Sequence, residues 1–339
     1  MFEAKLEAAN VIKKVLEAAK ELVTDANFEC NDEGLNLQAM DNSHVALVAV
    51  KLQKDGFKQY RCDHAMPLGV NLGSLTKVLK CAKDDDEVTL RADDNADVLL
   101  LKFEAKNTDR VAEYEMKLMD IDTDTLGIPD TEYDAKVSMP AGEFQRICRE
   151  LSQLGESVRI EVTKEGIRFN SEGDIANGSV LLKPTDGGSG RYAKNGSSSK
   201  ENKVKKEKGE DEEMEDDEGG STKGGDEERK PSRAEEEEEP ASEREEEEES
   251  SKKRKRKGDA SSGKAKKTKT AEDEDVVSIS VAQAVSLSFS LKYLVNFAKS
   301  TGLTSLVELK MSADVPLLVS YEFEQGTIQY YLAPKIGDD

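Results

Sequence analysis

Two distant stretches of this chain run through the same order of patterns, and that repetition limits the fold more than any other feature. "VIKKVLEAAKELVTDANFECNDEGLNLQAM" (residues 11–40) and "EFQRICRELSQLGESVRIEVTKEGIRFNSE" (143–172) each read as an apolar-faced helix, an alternating strand, a tight turn and a second strand. Gly34 in "NDEGLNL" and Gly166 in "TKEGIRF" fall at the same step. Both turns are expected to need positive φ, which glycine tolerates. A second pair follows: "LGSLTKVLKCAKDDDEVTLRADDNADVLLLKFEA" and "FSLKYLVNFAKSTGLTSLVELKMSADVPLLVSYEF" each read as a helix and then a hairpin of strands. The chain is therefore expected to hold two copies of an α+β unit, each with two helices and many strands. Between the copies, "MDIDTDTLGIPDTEYDAKVSMP" has acids, Gly127 and Pro129 in place of a period, and reads as an extended connector. The expected boundaries are 1–118 for the first half, 119–135 for the connector, and 136–185 plus 276–339 for the second half.

The second half is interrupted. Residues 186–275 hold 22 Lys and Arg, 30 Asp and Glu, and one aromatic residue, Tyr192. Such a composition cannot bury enough apolar surface to offset the entropy of ordering, so a disordered insertion is expected. Subtracting it from the 49 basic and 71 acidic residues of the whole chain leaves 27 and 41, a net of −14 for the folded part. Within the insertion, "KKRKRK" (Lys252–Lys257) and "KAKKTK" (Lys264–Lys269) read as a nuclear import signal or a nucleic-acid-binding patch. The acid runs suit basic partners such as histones, or could cover the basic block.

Positive charge in the folded part is concentrated on the four predicted helices. The windows 9–23, 74–83, 142–154 and 290–300 hold ten basic residues and four acids. In the first, Ile12, Val15, Leu16, Ala19 and Leu22 make a core face, and Lys13, Lys14 and Lys20 lie off it. Lys77 and Lys80, and likewise Arg146 and Arg149, are three apart, while Lys292 and Lys299 are seven apart, so each pair shares a face. Surface helices carry Lys and Arg anyway. Four repeated basic helices in an acidic protein point instead to a polyanion, most simply duplex phosphate. The absence of interleaved aromatics argues against base stacking and for sequence-independent, salt-sensitive backbone contact.

Catalytic and metal signatures do not emerge. There is no Walker loop, "LGVNLG" lacks the spacing of a dinucleotide fingerprint, and His44 and His64 have no Cys or His at ligand spacing. "KDDDEVTL" and "RADDNADV" read as turns, where Asp and Asn are favoured. No cofactor and no enzymatic activity are expected. Cys30, Cys62, Cys81 and Cys148 are widely spaced and are expected to be reduced, mostly buried and structural. No stretch approaches a membrane span or a signal peptide, so a soluble intracellular protein is expected.

"MFEAKLEAANVIKKVLEAAKELV", "LQAMDNSHVALVAVKL", "LGVNLGSLTKVLKCAK", "LGIPDTEYDAKVSMP", "MSADVPLLVSYEF" and "YYLAPKI" together resemble the eukaryotic sliding clamps of the proliferating cell nuclear antigen family. The resemblance covers residues 1 to about 184 and about 276 to 335. It implies the DNA-clamp fold in a closed homotrimer, with helices lining a hole and sheets outside. Lys13, Lys14, Lys20, Lys77, Lys80, Arg146, Arg149, Lys292 and Lys299 would then face the encircled double-stranded DNA. Gln153 stands where the family often has histidine. DNA polymerases, the clamp loader and other proteins with a clamp-binding peptide motif would insert aromatic anchors under the connector. The matching positions are Met40, His44, Leu126, Ile128, Pro316, Tyr331, Leu332 and Ala333; Leu126 and Ile128 could equally just pin the connector down. The edges "RVAEYEMKL" and "IANGSVLL" would join subunits by strand pairing. Lys164 matches the family's site of ubiquitin-type modification, though a surface turn lysine fits as well. The family has a short loop where this chain has the insertion. The resemblance also implies a nuclear location, no membrane contact and a role in replication and repair. The rival readings are a histone-chaperone-like acidic scaffold and a nucleic-acid-modifying enzyme with unrecognised carboxylates.

Overall fold

The computed structural model describes residues 1–94, 97–122, 127–128, 131–185 and 276–335. The charged insertion, 186–275, lies outside them.

The first half runs β1 (Phe2–Leu6), α1 (Ala9–Ala19), β2 (Asp25–Cys30), β3 (Gly34–Met40), β4 (Ala46–Gln53), β5 (Gln59–Cys62), β6 (Met66–Asn71), α2 (Leu72–Leu79), β7 (Glu87–Ala92), β8 (Val98–Glu104) and β9 (Val111–Lys117). The second half repeats this order: β10 (Ala135–Pro140), α3 (Ala141–Leu151), β11 (Ser157–Thr163), β12 (Gly166–Ser171), β13 (Gly178–Leu182), β14 (Ser278–Val281), β15 (Val285–Ser290), α4 (Leu291–Phe297), β16 (Leu306–Ser312), β17 (Val315–Phe323) and β18 (Gly326–Leu332). The repeat extends to the hydrogen bonds that start the helices. The first amide of α1 donates to Asp86 O at 2.9 Å, and that of α3 to Ser305 O at 2.7 Å. Those of α2 and α4 donate to Thr24 O at 2.9 Å and Glu156 O at 3.0 Å. Each pair of helices thus has N-terminal donors satisfied by carbonyls from matching loops.

Helix ends differ from the sequence windows. The first helix stops at Ala19, where Lys20 caps it, and α2 starts at Leu72 because the Asn71 side chain accepts from Ser74 N–H at 2.8 Å. The fourth passes into a 3-10 turn, Ala298–Gly302. The two turn glycines also serve different ends. Gly34 has φ +151°, and a Cβ there would strike the Leu52 carbonyl. At Gly166 no positive φ is needed; a Cβ would come within 2.5 Å of the Leu182 carbonyl, so the reason is space.

Three sheets carry the strands. Their orders are β5-β1-β7-β8-β9, β14-β10-β16-β17-β18-β4-β3-β2-β6, and β13-β12-β11-β15. The nine-stranded sheet crosses both halves through the antiparallel β18–β4 pair. Helices pack on one side of the sheets through alternating apolar positions. Helix α3, for example, buries Phe144, Ile147, Cys148 and Leu151, and a fully buried large apolar side chain contributes about 1.5–3 kcal/mol. The ends of the insertion are tied together: Thr185 N–H donates to Val277 O at 2.9 Å, and Val277 N–H to Thr185 Oγ at 3.2 Å. The cysteines are free, but only Cys30 and Cys148 are buried; Cys62 is half-buried and Cys81 exposed. Among the described residues no helix is long and apolar enough to cross a membrane.

Candidate functional site

The four helices make one layer. Helix α1 packs on α2 and α3 on α4, and both α1 and α3 touch the 298–302 turn, which joins the two halves. The core periodicity turns the basic positions away from the sheets. Lys14, Lys77, Lys80, Arg146, Arg149, Lys292 and Lys299 are exposed, while Lys13 and Lys20 are half-buried. Several are already engaged. Lys13 Nζ lies 2.9 Å from Asp84 Oδ1 and donates to Ala82 O at 2.5 Å, and it holds the Asp84 carboxyl below the usual carboxylate range. Lys14 donates to Gly302 O at 2.6 Å, Arg146 pairs with Glu150 at 2.8 Å, and Lys299 pairs with Glu21 at 2.7 Å. Lys292 Nζ stands 5.9 Å from the Tyr293 ring centre. Lys20, Lys77, Lys80 and Arg149 make no ion pair with described residues. Exposed pairs of this kind are weak and screened by salt. Gln153, just past α3, is exposed as well.

The partner-motif positions on strands lie at the end of β3, the start of β17 and the end of β18. Met40 closes β3, and His44 sits on the following loop at φ 55°, with Nδ1 3.1 Å from Met40 Sδ. Asp41 holds that loop. Its Oδ1 accepts from Val45 and Ala46 N–H at 2.9 and 2.8 Å, and its Oδ2 from Ser43 N–H at 3.1 Å and the Tyr293 hydroxyl at 2.8 Å. Ala333 N–H donates to Val45 O at 3.0 Å, which brings the end of β18 against the loop. Pro316 and Ile128 are exposed, and Tyr331 is half-buried. Leu126 lies outside the described residues. Leu332 does not belong on this surface: strand alternation turns it inward, where it is fully buried, while its neighbour Tyr331 faces outward. Leu47 stands cross-strand from both Met40 and Tyr331 and is buried.

Both predicted edges are edges. Strand β9 ends the five-stranded sheet and β13 the four-stranded one. Val111 and Leu181 on them are 54% and 40% exposed, and Ile175, just before β13, is 91% exposed. Lys164 lies in the β11–β12 turn and is exposed. No cluster of metal-binding side chains occurs among the described residues.

Family models for the N-terminal and C-terminal domains of proliferating cell nuclear antigen match residues 1–126 and residues 127–193 with 250–336. The chain belongs to the proliferating cell nuclear antigen family. It is similar to proliferating cell nuclear antigen of Chaetomium thermophilum, 40% identical over 340 residues that cover 100% of each chain. The two-part architecture is the clamp fold of this family. The C-terminal family model breaks at 194–249, inside the charged stretch, which marks that stretch as an addition to the family's frame.

Proposed function

We propose that the chain is one subunit of a three-membered ring that encircles duplex DNA and tethers replication and repair proteins to it. The family is that of the sliding clamps and processivity factors, whose members bind DNA, associate with themselves, hold partner proteins and catalyse nothing. This favours a clamp over an acidic histone-binding scaffold. In this reading 1–118 and 136–185 with 276–339 are the two clamp halves, 119–135 joins them, 186–275 is an addition, and the protein works in the nucleus. The nine basic helix residues face the encircled duplex. Partner peptides seat aromatic anchors among Met40, His44, Leu126, Ile128, Pro316, Tyr331 and Ala333, and DNA polymerases and the clamp loader carry such peptides. Lys164 is the proposed modification site.

One observation carries the ring. The free edges β9 and β13 are the repeat-equivalents of β18 and β4, the two strands that pair inside the chain. Matching Tyr114, opposite Leu101, to Tyr330, opposite Val319, aligns β9 with β18. Matching Gly166 to Gly34 aligns Leu181 of β13 with Lys51 of β4. The internal register Thr327↔Lys51 and Tyr330↔Val48 then becomes Val111↔Leu181 and Tyr114↔Gly178 between copies. Two exposed apolar side chains are thereby placed face to face. Gly178 has no room for a side chain, since a Cβ would come within 2.8 Å of Leu151 and 2.7 Å of Leu154. A head-to-tail step of this kind makes a ring when its rotation closes. Light scattering tests it: the full chain is expected at about 112 kDa, three times 37.3 kDa. Leu181→Glu, which sets a charge against Val111, is expected to leave the single-chain mass. A wild-type monomer at micromolar concentration, or an intact trimer in the variant, would refute the seam. Retention on circular but not linear DNA after loading tests the encirclement.

A further inference from the structure

A cavity of about 450 Å³ opens on the outer face of the nine-stranded sheet, beside the connector. Ile128 and Tyr133 of the connector line it, Tyr331 is shared with the partner pocket, and Lys51, Lys136 and Lys310 enter it. Those three cations come from β4, β10 and β16. They are not part of the helix face: Val137 and Met139 are buried toward the helices, so Lys136, between Ala135 and Val137, points the other way. Lys136 and Lys310 stand directly opposite each other in the antiparallel β10–β16 register. Like charges so placed repel and weaken the sheet. Two carboxylates oppose this charge: Glu308 pairs with Lys310 at 2.8 Å, and Glu29 lines the cavity. Lys51 and Lys136 are exposed and make no ion pair with described residues. Among the described residues the lining is thus net positive, on a folded part whose net charge is −14.

We propose that this cavity receives the carboxylates of an acidic stretch in a partner peptide whose aromatic anchors occupy the adjoining pocket. The inference rests on the partner-pocket reading above. Continuity supports it, because Ile128 and Tyr331 belong to both surfaces and a peptide seated in one runs on into the other. Charge complementarity supports it as well. Lysine ammoniums on flexible stems are compact point charges, which suit carboxylates at several spacings better than one fixed fork geometry. The site would favour partners with acid next to their anchors, against the overall repulsion between such partners and an acidic protein.

Fluorescence anisotropy on the full chain tests this with synthetic peptides. Each carries the family's aromatic-anchor motif, flanked at one end or the other by four glutamates or by four glutamines. At ~50 mM salt the better-placed glutamate peptide is expected to bind about five- to tenfold more tightly than its glutamine counterpart, as two or three exposed pairs allow. That advantage is expected to shrink at ~0.5 M salt. Lys51→Gln with Lys136→Gln, both on solvated faces, is expected to abolish the advantage and leave glutamine-peptide affinity unchanged. Equal binding of the glutamate and glutamine peptides to wild type overturns the inference and leaves the pocket reading standing. An advantage that survives the double substitution overturns it too, by placing the acid elsewhere. If no peptide binds, the pocket reading fails and this inference falls with it.

Discussion

Asp41→Ala removes the carboxylate that accepts four hydrogen bonds at the 41–46 loop. Burial raises the Asp41 carboxyl, but the bonds from Ala46, Tyr293, Val45 and Ser43 outweigh it and leave the group below its ordinary value. A hydrogen bond to a charged acceptor contributes about 1.5–3 kcal/mol net. Ser43 regains a partner in water. Counting only Val45 and Ala46 gives a loss of about 3 kcal/mol or more, because the buried Ala46 amide is left unpaired. Asp41→Asn keeps one acceptor oxygen and is expected to lose about half as much, and Tyr293→Phe about 1 kcal/mol. The loop also presents His44 and, through Val45 O, meets Ala333. Anchor-peptide affinity is therefore expected to fall at least tenfold in Asp41→Ala. The pH dependence has a definite sign. A depressed folded-state value means the carboxylate stabilises fully above its unfolded value near ~3.9 and loses that contribution as pH falls through the folded value. The variant is expected to flatten the acid limb of stability below about pH 4. Urea unfolding at fixed protein concentration, followed by tyrosine fluorescence in a chain with no tryptophan, measures the loss. An Asp41→Ala protein within 0.5 kcal/mol of wild type that binds peptide normally would refute the idea that this side chain holds the loop.

Two further perturbations separate the insertion from the clamp and the channel from the fold. Deleting 187–271 is expected to leave a stable trimer that still binds anchor peptides, since Thr185 and Val277 already meet at its base; the shorter loop is expected to stabilise by about 2 kcal/mol, read by urea unfolding, and aggregation or a monomer by light scattering would refute it. Replacing Lys20, Lys77, Arg149 and Lys299 by alanine is expected to weaken duplex contact and reduce its salt dependence with unchanged unfolding, and undiminished DNA-dependent polymerase stimulation would refute the channel assignment.

The repeat, the two glycine turns and the four amphipathic helices are legible in the sequence because each is a local pattern; that β9 and β13 are edges was implied only by the family resemblance. A period of 3.6 or 2 shows which face of an element is apolar, and a run of alternating residues beside a turn shows where a strand ends. That is why Lys77 with Lys80, and Arg146 with Arg149, can be assigned to exposed faces before any partner is known. Leu332 shows the limit: a position inferred from a motif gave no side, and only the β18 pleat placed it in the core beside an outward Tyr331. What depends on which strands become neighbours is not local at all. Asp41 receives the Tyr293 hydroxyl across 252 residues, and Lys299 of the second half finds Glu21 of the first. Lys51, Lys136 and Lys310 share one cavity only because β4 and β10 enter the same nine-stranded sheet on either side of β16, β17 and β18. No spacing along the chain encodes that order. It follows from closing long loops so that the apolar faces of both halves are buried in one continuous core, and the tertiary structure alone decides which charged side chains that closure brings together.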